Sequence, residues 1–337
     1  MALRLIEMVL TQSDSADLDT LLQDCTLLDL RQIRLAEDDV LVRILLDAEH
    51  SETVLDLLEK HYTTNEKNRL VILAVEATLP RAEIEPDPVA AVSDQSPAKE
   101  KTPERIGREE LYEDIKNGAR LTRVYMAMVV LSTVVAAIGL NHNSVAIIIG
   151  AMVIAPLLGP NVALSLGTTL GDLSLLRHGF LTALAGAGAT LVLSVLIGVL
   201  LDVDPTLPEI ATRTQAGLGD IVLALASGCA GALAFTTGGS ATLIGVMVAV
   251  ALLPPVVASG LLLGGGHPAL AIGAFSLFMV NLICINLAGV TTFLAQGIKP
   301  TNWWEKDRAA KATRTAIALS TVLLAALAGL ILLARLG

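Results

Sequence analysis

Apolar residues make up 53% of this 337-residue chain and charged residues 17%, with a formal net charge of -10. The average hides two halves: residues 1–80 carry 16 acidic and 7 basic side chains, whereas beyond Arg123 charges thin to short clusters and apolar runs of about 20 residues recur, the length that crosses a bilayer. A purely soluble protein is excluded; so is cysteine-centred chemistry, because Cys25, Cys229 and Cys284 stand apart without CxxC or metal-ligand spacing and read as small apolar packing residues.

In chain order, residues 3–10 read as a strand and 15–25 as a helix capped by Ser15. Residues 27–35 and 39–47 form a strand pair turned through Ala36, Glu37 and Asp38. A second helix follows over 51–62, with Val54, Leu57, Leu58 and His61 at helical spacing, and then a strand over 69–77. The order βαββαβ is that of a ferredoxin-like α+β domain over residues 1–80. Val71, Leu73 and Val75 point to one side of the last strand and Leu70, Ile72 and Ala74 to the other, so both sheet faces are apolar. Two helices cover only one of them. The second face is expected to meet another subunit, the membrane part or a planar ligand, and a homo-oligomer is expected. Arg31 and Arg43 on the paired strands are candidates for an anionic regulatory ligand such as a nucleotide, or are solvated, salt-bridged arginines; no glycine-rich phosphate loop accompanies them. No leader with a basic start, apolar core and cleavage site opens the chain, so the head is expected to remain cytosolic.

Residues 81–106, with Pro86, Pro88, Pro97 and Pro103 among Ala, Ser, Glu and Lys, read as a flexible linker. Thr102-Pro103-Glu104 gives a cap, a proline in the first turn and an early acid. The helix it starts, over 107–120, places Leu111 and Ile115 on one face and Arg108, Lys116 and Arg120 among its charges. It reads as an interfacial helix or as an extension of the first span.

Seven spans are expected within 121–337: 121–140, 144–166, 173–201, 218–236, 240–263, 268–296 and 313–334. Basic side chains flank Arg120 and Arg123 and the segment from Lys299 to Arg314, while the stretch Asp202, Asp204, Glu209, Arg213 and Asp220 is mainly acidic. With the basic segments inside, the N-terminal domain is cytosolic, Arg177 is inside and the C-terminus is outside, in a prokaryotic cytoplasmic membrane. Trp303 and Trp304 then fall in an aromatic belt.

Two segments repeat. Residues 149–163 (IGAMVIAPLLGPNVA) and 244–258 (IGVMVAVALLPPVVA) agree at 9 of 15 positions, 95 residues apart. Because the offset contains three spans, the second copy is inverted relative to the first, with the seventh span added outside the pair. Pro156, Pro160, Pro254 and Pro255 remove helical donors and are expected to break spans two and five. The carbonyls so freed are tolerated only against protein or water. Gly150, Gly159 and Gly245 are expected to let backbones approach, and Asn161, Asn281 and Asn286 add amides that either bind solute or tie helices. With no charged residue in mid-span, the path these groups line suits a small neutral solute or a monovalent cation.

At these residues, GAMVIAPLLGP at 150–160, GVMVAVALLPP at 245–255 and the Asn281 region, the chain resembles a widespread family of prokaryotic membrane proteins known only as a hydrophobic domain of unknown function. The likeness covers about residues 120–295. It implies a polytopic bacterial or archaeal membrane protein with a small soluble N-terminal domain, and brings no substrate.

Two functions follow: a transporter or channel regulated by an oligomeric cytosolic head, or a membrane-anchored small-molecule sensor without transport. Enzyme motifs are absent, and His50, His61, His142, His178 and His267 lack ligand spacing, so no catalytic residue, metal or nucleic-acid partner is expected, and the sequence leaves any cofactor unassigned.

Overall fold

The computed structural model describes residues 3–23, 25–35, 38–62, 69–75, 107–237 and 241–298. The linker at 81–106, the seventh span, Trp303, Trp304 and the basic segment from Lys299 to Arg314 lie outside the described residues. The chain divides into two compact units, Met1–Glu110 and Leu111–Gly337.

In the first unit, strands β1 (Leu3–Thr11), β2 (Asp29–Arg34), β3 (Asp39–Asp47) and β4 (Leu70–Val75) form one antiparallel sheet of order β2-β3-β1-β4. Strict alternation sets the two faces. Ile6, Met8 and Leu10 of β1 and Val42, Ile44 and Leu46 of β3 pack inward with Val54 and Leu58 of helix α3 (Ala48–Tyr62). Burying each such side chain contributes about 1.5–3 kcal/mol. Arg4 shares the inward face at 6% exposure, and its Nε and Nη2 donate to Glu110 at 2.7 and 2.8 Å, so the buried cation is paired.

The helix expected over 15–25 is instead two single turns, α1 (Gln12–Ser15) and α2 (Leu18–Leu21). Thr11, not Ser15, is the cap: its hydroxyl accepts from the Asp14 N–H, while Ser15 Oγ donates to the Gln12 carbonyl. Ser, Thr and Asp side chains compete for backbone groups here and hold the segment in turns.

The second unit is helical. Helix α4 (Arg108–Gly118) enters it; then come α5 (Arg123–Asn141), α6 (Val145–Ile154), α7 (Leu158–Leu170), α8 (Leu173–Leu200), the short α9 (Pro208–Ala211), α10 (Leu218–Thr236), α11 (Ala241–Gly264) and α12 (Pro268–Ala295). Four of them, α5, α8, α10 and α12, are long and apolar enough to cross a membrane, five spans if the bent pair α6–α7 is one, and α11 adds the apolar stretch Val248–Gly264. These helices are compatible with a multi-pass membrane protein. The apolar residues of α4, Leu111 and Ile115, are fully buried, so protein and not lipid covers the face expected at the headgroups.

Packing runs in matched pairs. α8 lies on α5 and α7 as α12 lies on α10 and α11, and the cross-contacts α8–α11 and α7–α12 correspond in the same way. Small residues set the approach: at Gly198, Gly260 and Gly264 a Cβ would strike the backbone or Cβ of the facing helix, α8 against α11. Three connections share one end of the bundle. The Glu209 N–H donates to Asn143 Oδ1 at 3.1 Å, and a Cβ on Gly265 would meet Val203 at 3.0 Å.

Candidate functional site

The two repeated segments fold differently. In the first, Pro156 ends α6: Ala155 is extended (φ -67°, ψ 120°), as a residue before proline prefers, and α7 leaves at 55° to α6. Pro160 then sits in the first turn of α7, where no helical donor is missed. In the second, α11 continues unbroken through Pro254 and Pro255. The expected interruption there does not occur, for a reason visible in the alignment. The 95-residue offset pairs Pro160 with Pro255 but Pro156 with Ala251, a good helix former, so the residue that breaks the first copy has no counterpart.

Prolines inside α11 still remove the donors to the carbonyls of Val250 and Ala251. Asn281 of α12 supplies one replacement: its Nδ2 donates to the Ala251 carbonyl at 2.7 Å. Asn286, a turn and a half further, serves the first copy, donating to Asn161 Oδ1 at 3.3 Å and to the Leu282 carbonyl at 2.9 Å. Asn161 in turn donates to the Leu157 carbonyl beside the break at 2.7 Å. All three amides tie helices or close a helix start, and α12 thereby holds both copies. Asn281 Oδ1 is buried without a hydrogen-bond partner.

The glycines divide. A Cβ on Gly159 would collide with the Gly118 backbone, so close approach is real there. Gly150 faces open space with nothing within 4 Å, against the expectation. Gly245 lies within α11, at a position whose surroundings are outside the described residues.

Beside the break opens a cavity of about 380 Å³. That is the size of a small-molecule site. Leu157, Pro160 and Asn161 of the first copy and Leu252 and Val256 of the second line it, and α5, α8 and α12 complete the wall. Of the residues read from sequence only Pro160 and Asn161 reach it; Pro156, Pro254, Pro255, Asn281 and Asn286 do not. The lining also departs from the expected carbonyls and amides. It is mainly aliphatic and aromatic, with Tyr125, Asn161 and Thr190 as its polar members. All three are engaged: Asn161 with Leu157 and Asn286, Tyr125 Oη donating to the Thr182 carbonyl at 3.2 Å, and Thr190 Oγ1 accepting from Thr133. Sequence reasoning passed over Phe180, Phe275 and Phe278, which converge here although the chain has only five phenylalanines, and that scarcity was the available signal.

In the first unit Arg31 and Arg43 are directly opposed on β2 and β3, on the sheet face away from the helices. Each has a carboxylate: Arg31 Nε lies 2.8 Å from Asp29 and Arg43 Nε 2.7 Å from Glu7. Ile33, Val71 and Leu73 on that face are over 40% exposed. Among the described residues no group of His, Cys, Asp and Glu is placed to hold a metal ion.

The model of the domain of unknown function DUF389 matches residues 152–287, which hold the break, both α12 asparagines and the cavity lining except Tyr125. An uncharacterized protein of Methanocaldococcus jannaschii is 37% identical over 291 residues, covering 86% of this chain and 87% of the relative. No solved structure matches the chain.

Proposed function

The chain belongs to the DUF389 family, and from that premise we propose that it is a membrane transporter or channel for a small solute, regulated by an oligomeric head. The observation that carries this reading is the cavity of about 380 Å³ walled by both copies of the repeated segment. Its lining narrows the sequence-level choice: an uncharged, largely apolar solute fits it, and a bare cation does not. The inverted repeat is part of the same proposal. α5 ends and α10 begins at the end of the bundle shared by Asn143 and the 203–217 segment, so the second copy sets out where the first helix of the first copy stops. The matched packing of α8 and α12 supports an exchange of the two copies about one axis.

The head is proposed as a cytosolic ferredoxin-like domain on a prokaryotic cytoplasmic membrane, with the C-terminus outside; the sheet order β2-β3-β1-β4 supports the first part. Its open apolar face is the proposed contact between subunits. An anionic small molecule or nucleotide on that face would take Arg31 and Arg43 from Asp29 and Glu7.

Reconstitution tests the proposal. Proteoliposomes of the full chain are expected to exchange at least one uncharged solute faster than empty vesicles, and Ala187→Phe or Gly188→Phe in the cavity wall should abolish that exchange. No flux over a broad panel of ions and metabolites, with ligand binding by the head, would favour the anchored sensor. That reading draws on the motif amides being engaged between helices.

A further inference from the structure

The solute cavity has an open side, and that side looks out of the bundle. Leu157 and Asn161 at the break and Leu252 and Val256 of α11 form its floor, all of them buried. Phe180 and Leu184 of α8 and Phe275 of α12 form its rim, at 52%, 57% and 40% exposure. On α8 the rim belongs to an outward stripe at fourth-residue spacing: Phe180, Leu184, Gly188, Val192 and Leu196. Every member is a large, exposed apolar side chain except Gly188. A Cβ there would have nothing within 4 Å, whereas one on Gly179, Gly186 or Gly198 of the same helix would strike a facing group. Gly188 therefore opens a notch in the stripe and brings no helix closer, unlike the usual small residue of a membrane helix.

Depth decides what stands before this mouth. The lining runs from Phe180 to Leu191 on α8 and from Phe275 to Leu282 on α12. At the helical rise these stretches begin and end about 10 Å or more from the ends of their helices, within a hydrocarbon layer of about 30 Å. Water is absent at that level, so the mouth meets hydrocarbon and whatever is dissolved in it. The lining carries no charged side chain, and its three polar ones already have partners, so an ionised group would enter unpaired. A helix laid across the mouth would not fill the space: one of its side chains is a knob for a hole of four residues, and five helices wall this cavity. A phospholipid offers only part of a chain whose headgroup stays at the interface. A molecule without a charged headgroup can enter whole.

We infer that the cavity takes a neutral lipophile from the bilayer, entering sideways between α8 and α12 over Gly188. As the class of solute carried, this rests on the transport reading; as a binding site it does not. Occupancy bears on the break directly, because Leu157 and Asn161 of the floor flank it.

The test is photolabelling of the full chain in phosphatidylcholine vesicles, with adducts located by peptide mass spectrometry. One probe is hexadecanol with a diazirine at mid-chain; the other is a phosphatidylcholine with the same diazirine in one acyl chain. The alcohol is expected to mark Leu157, Asn161, Leu252 or Val256 saturably and in competition with unlabelled hexadecanol. Gly188→Phe, which fills the notch, should abolish those marks while Leu196 on the same stripe stays labelled. The phosphatidylcholine probe should mark Leu196 and the rim and leave the floor unmarked. Absence of floor marks from the alcohol overturns the proposal. Equal floor marks from both probes also overturn it and assign the space to an ordinary lipid chain. If the rim escapes labelling while Leu196 is marked, a helix of this chain or of a second copy lies across the mouth, and the proposal again fails. Should Gly188→Phe not fold, saturation and competition in the wild-type chain decide alone. Floor labelling without flux of any solute removes the transport reading and leaves the site. Flux of a water-soluble solute without floor labelling removes the site and leaves the transport reading.

Discussion

Asn281 and the two prolines it faces show how single residues keep an unusual helix whole. Pro255 lacks the N–H that the Ala251 carbonyl would accept, and Asn281 Nδ2 replaces it at 2.7 Å. Asn281→Leu should therefore cost about 1–2 kcal/mol, the price of leaving a buried carbonyl unpaired in a helical bundle. Pro255→Ala should restore the backbone donor and remove most of that cost. A double-mutant cycle read by thermal unfolding checks it: if the two changes simply add, Asn281 is not the carbonyl's partner. Gly159 gives a second test. Any side chain there meets the Gly118 backbone, which cannot swing aside as a side chain would, so Gly159→Ala should lower stability by about 1–3 kcal/mol whereas Gly150→Ala should be near neutral. Sequence could name these residues because glycine, proline and asparagine are conspicuous in apolar runs. It could not say which carbonyl each amide answers, since that depends on a helix 30 residues away.

Elements were legible where a period was long and clean. The alternation in β1 and β3 fixed which side chains turn inward, and the apolar runs fixed α5, α8, α10 and α12. The 15–25 segment was not legible, because Ser, Thr and Asp caps offer several equivalent ways to end a turn. The open face of the head sheet follows from the same alternation and carries an expectation of its own. Val71→Glu with Leu73→Glu, both more than 40% exposed, should leave the fold intact and reduce assembly size measured by light scattering; an unchanged mass would place the subunit contact elsewhere. Helix α4 supplies a pH test outside the candidate spans. Burial first, then the hydrogen bond to Asp172 at 2.7 Å, pushes the Tyr112 hydroxyl up to about 12. The folded chain holds this proton after the unfolded chain has lost it near the ordinary value of 10.0, so the contribution is complete below that value and is lost as pH rises toward about 12. The stability gap between wild type and Tyr112→Phe should accordingly be wider at pH 8 than at pH 11.

At the scale of the whole molecule the decisive question is whether two segments of similar sequence can be inverted and yet asymmetric. The offset of the repeats made inversion expected, but two helices carrying similar motifs proved one bent and one continuous, because Pro160 has a counterpart in Pro255 and Pro156 has none. Asymmetry of this kind has a mechanical reading. The bent copy has a joint at 155–157 whose extended residue can absorb rotation, while the continuous α11 has no such joint; α12 is tied to both, through Asn286 and Asn281. The arrangement makes a strict demand on topology. In a background with Cys25, Cys229 and Cys284 replaced by Ser, Asn143→Cys, Asp204→Cys and His267→Cys should react with an impermeant thiol reagent from one side of the membrane. Ser174→Cys and Thr237→Cys should react only from the other. The first three belong to connections gathered at one end of the bundle, so a split among them would contradict the crossing pattern itself. A shared side for all five would mean that the copies are not inverted, and the cavity between them would then be a packing defect and not a passage.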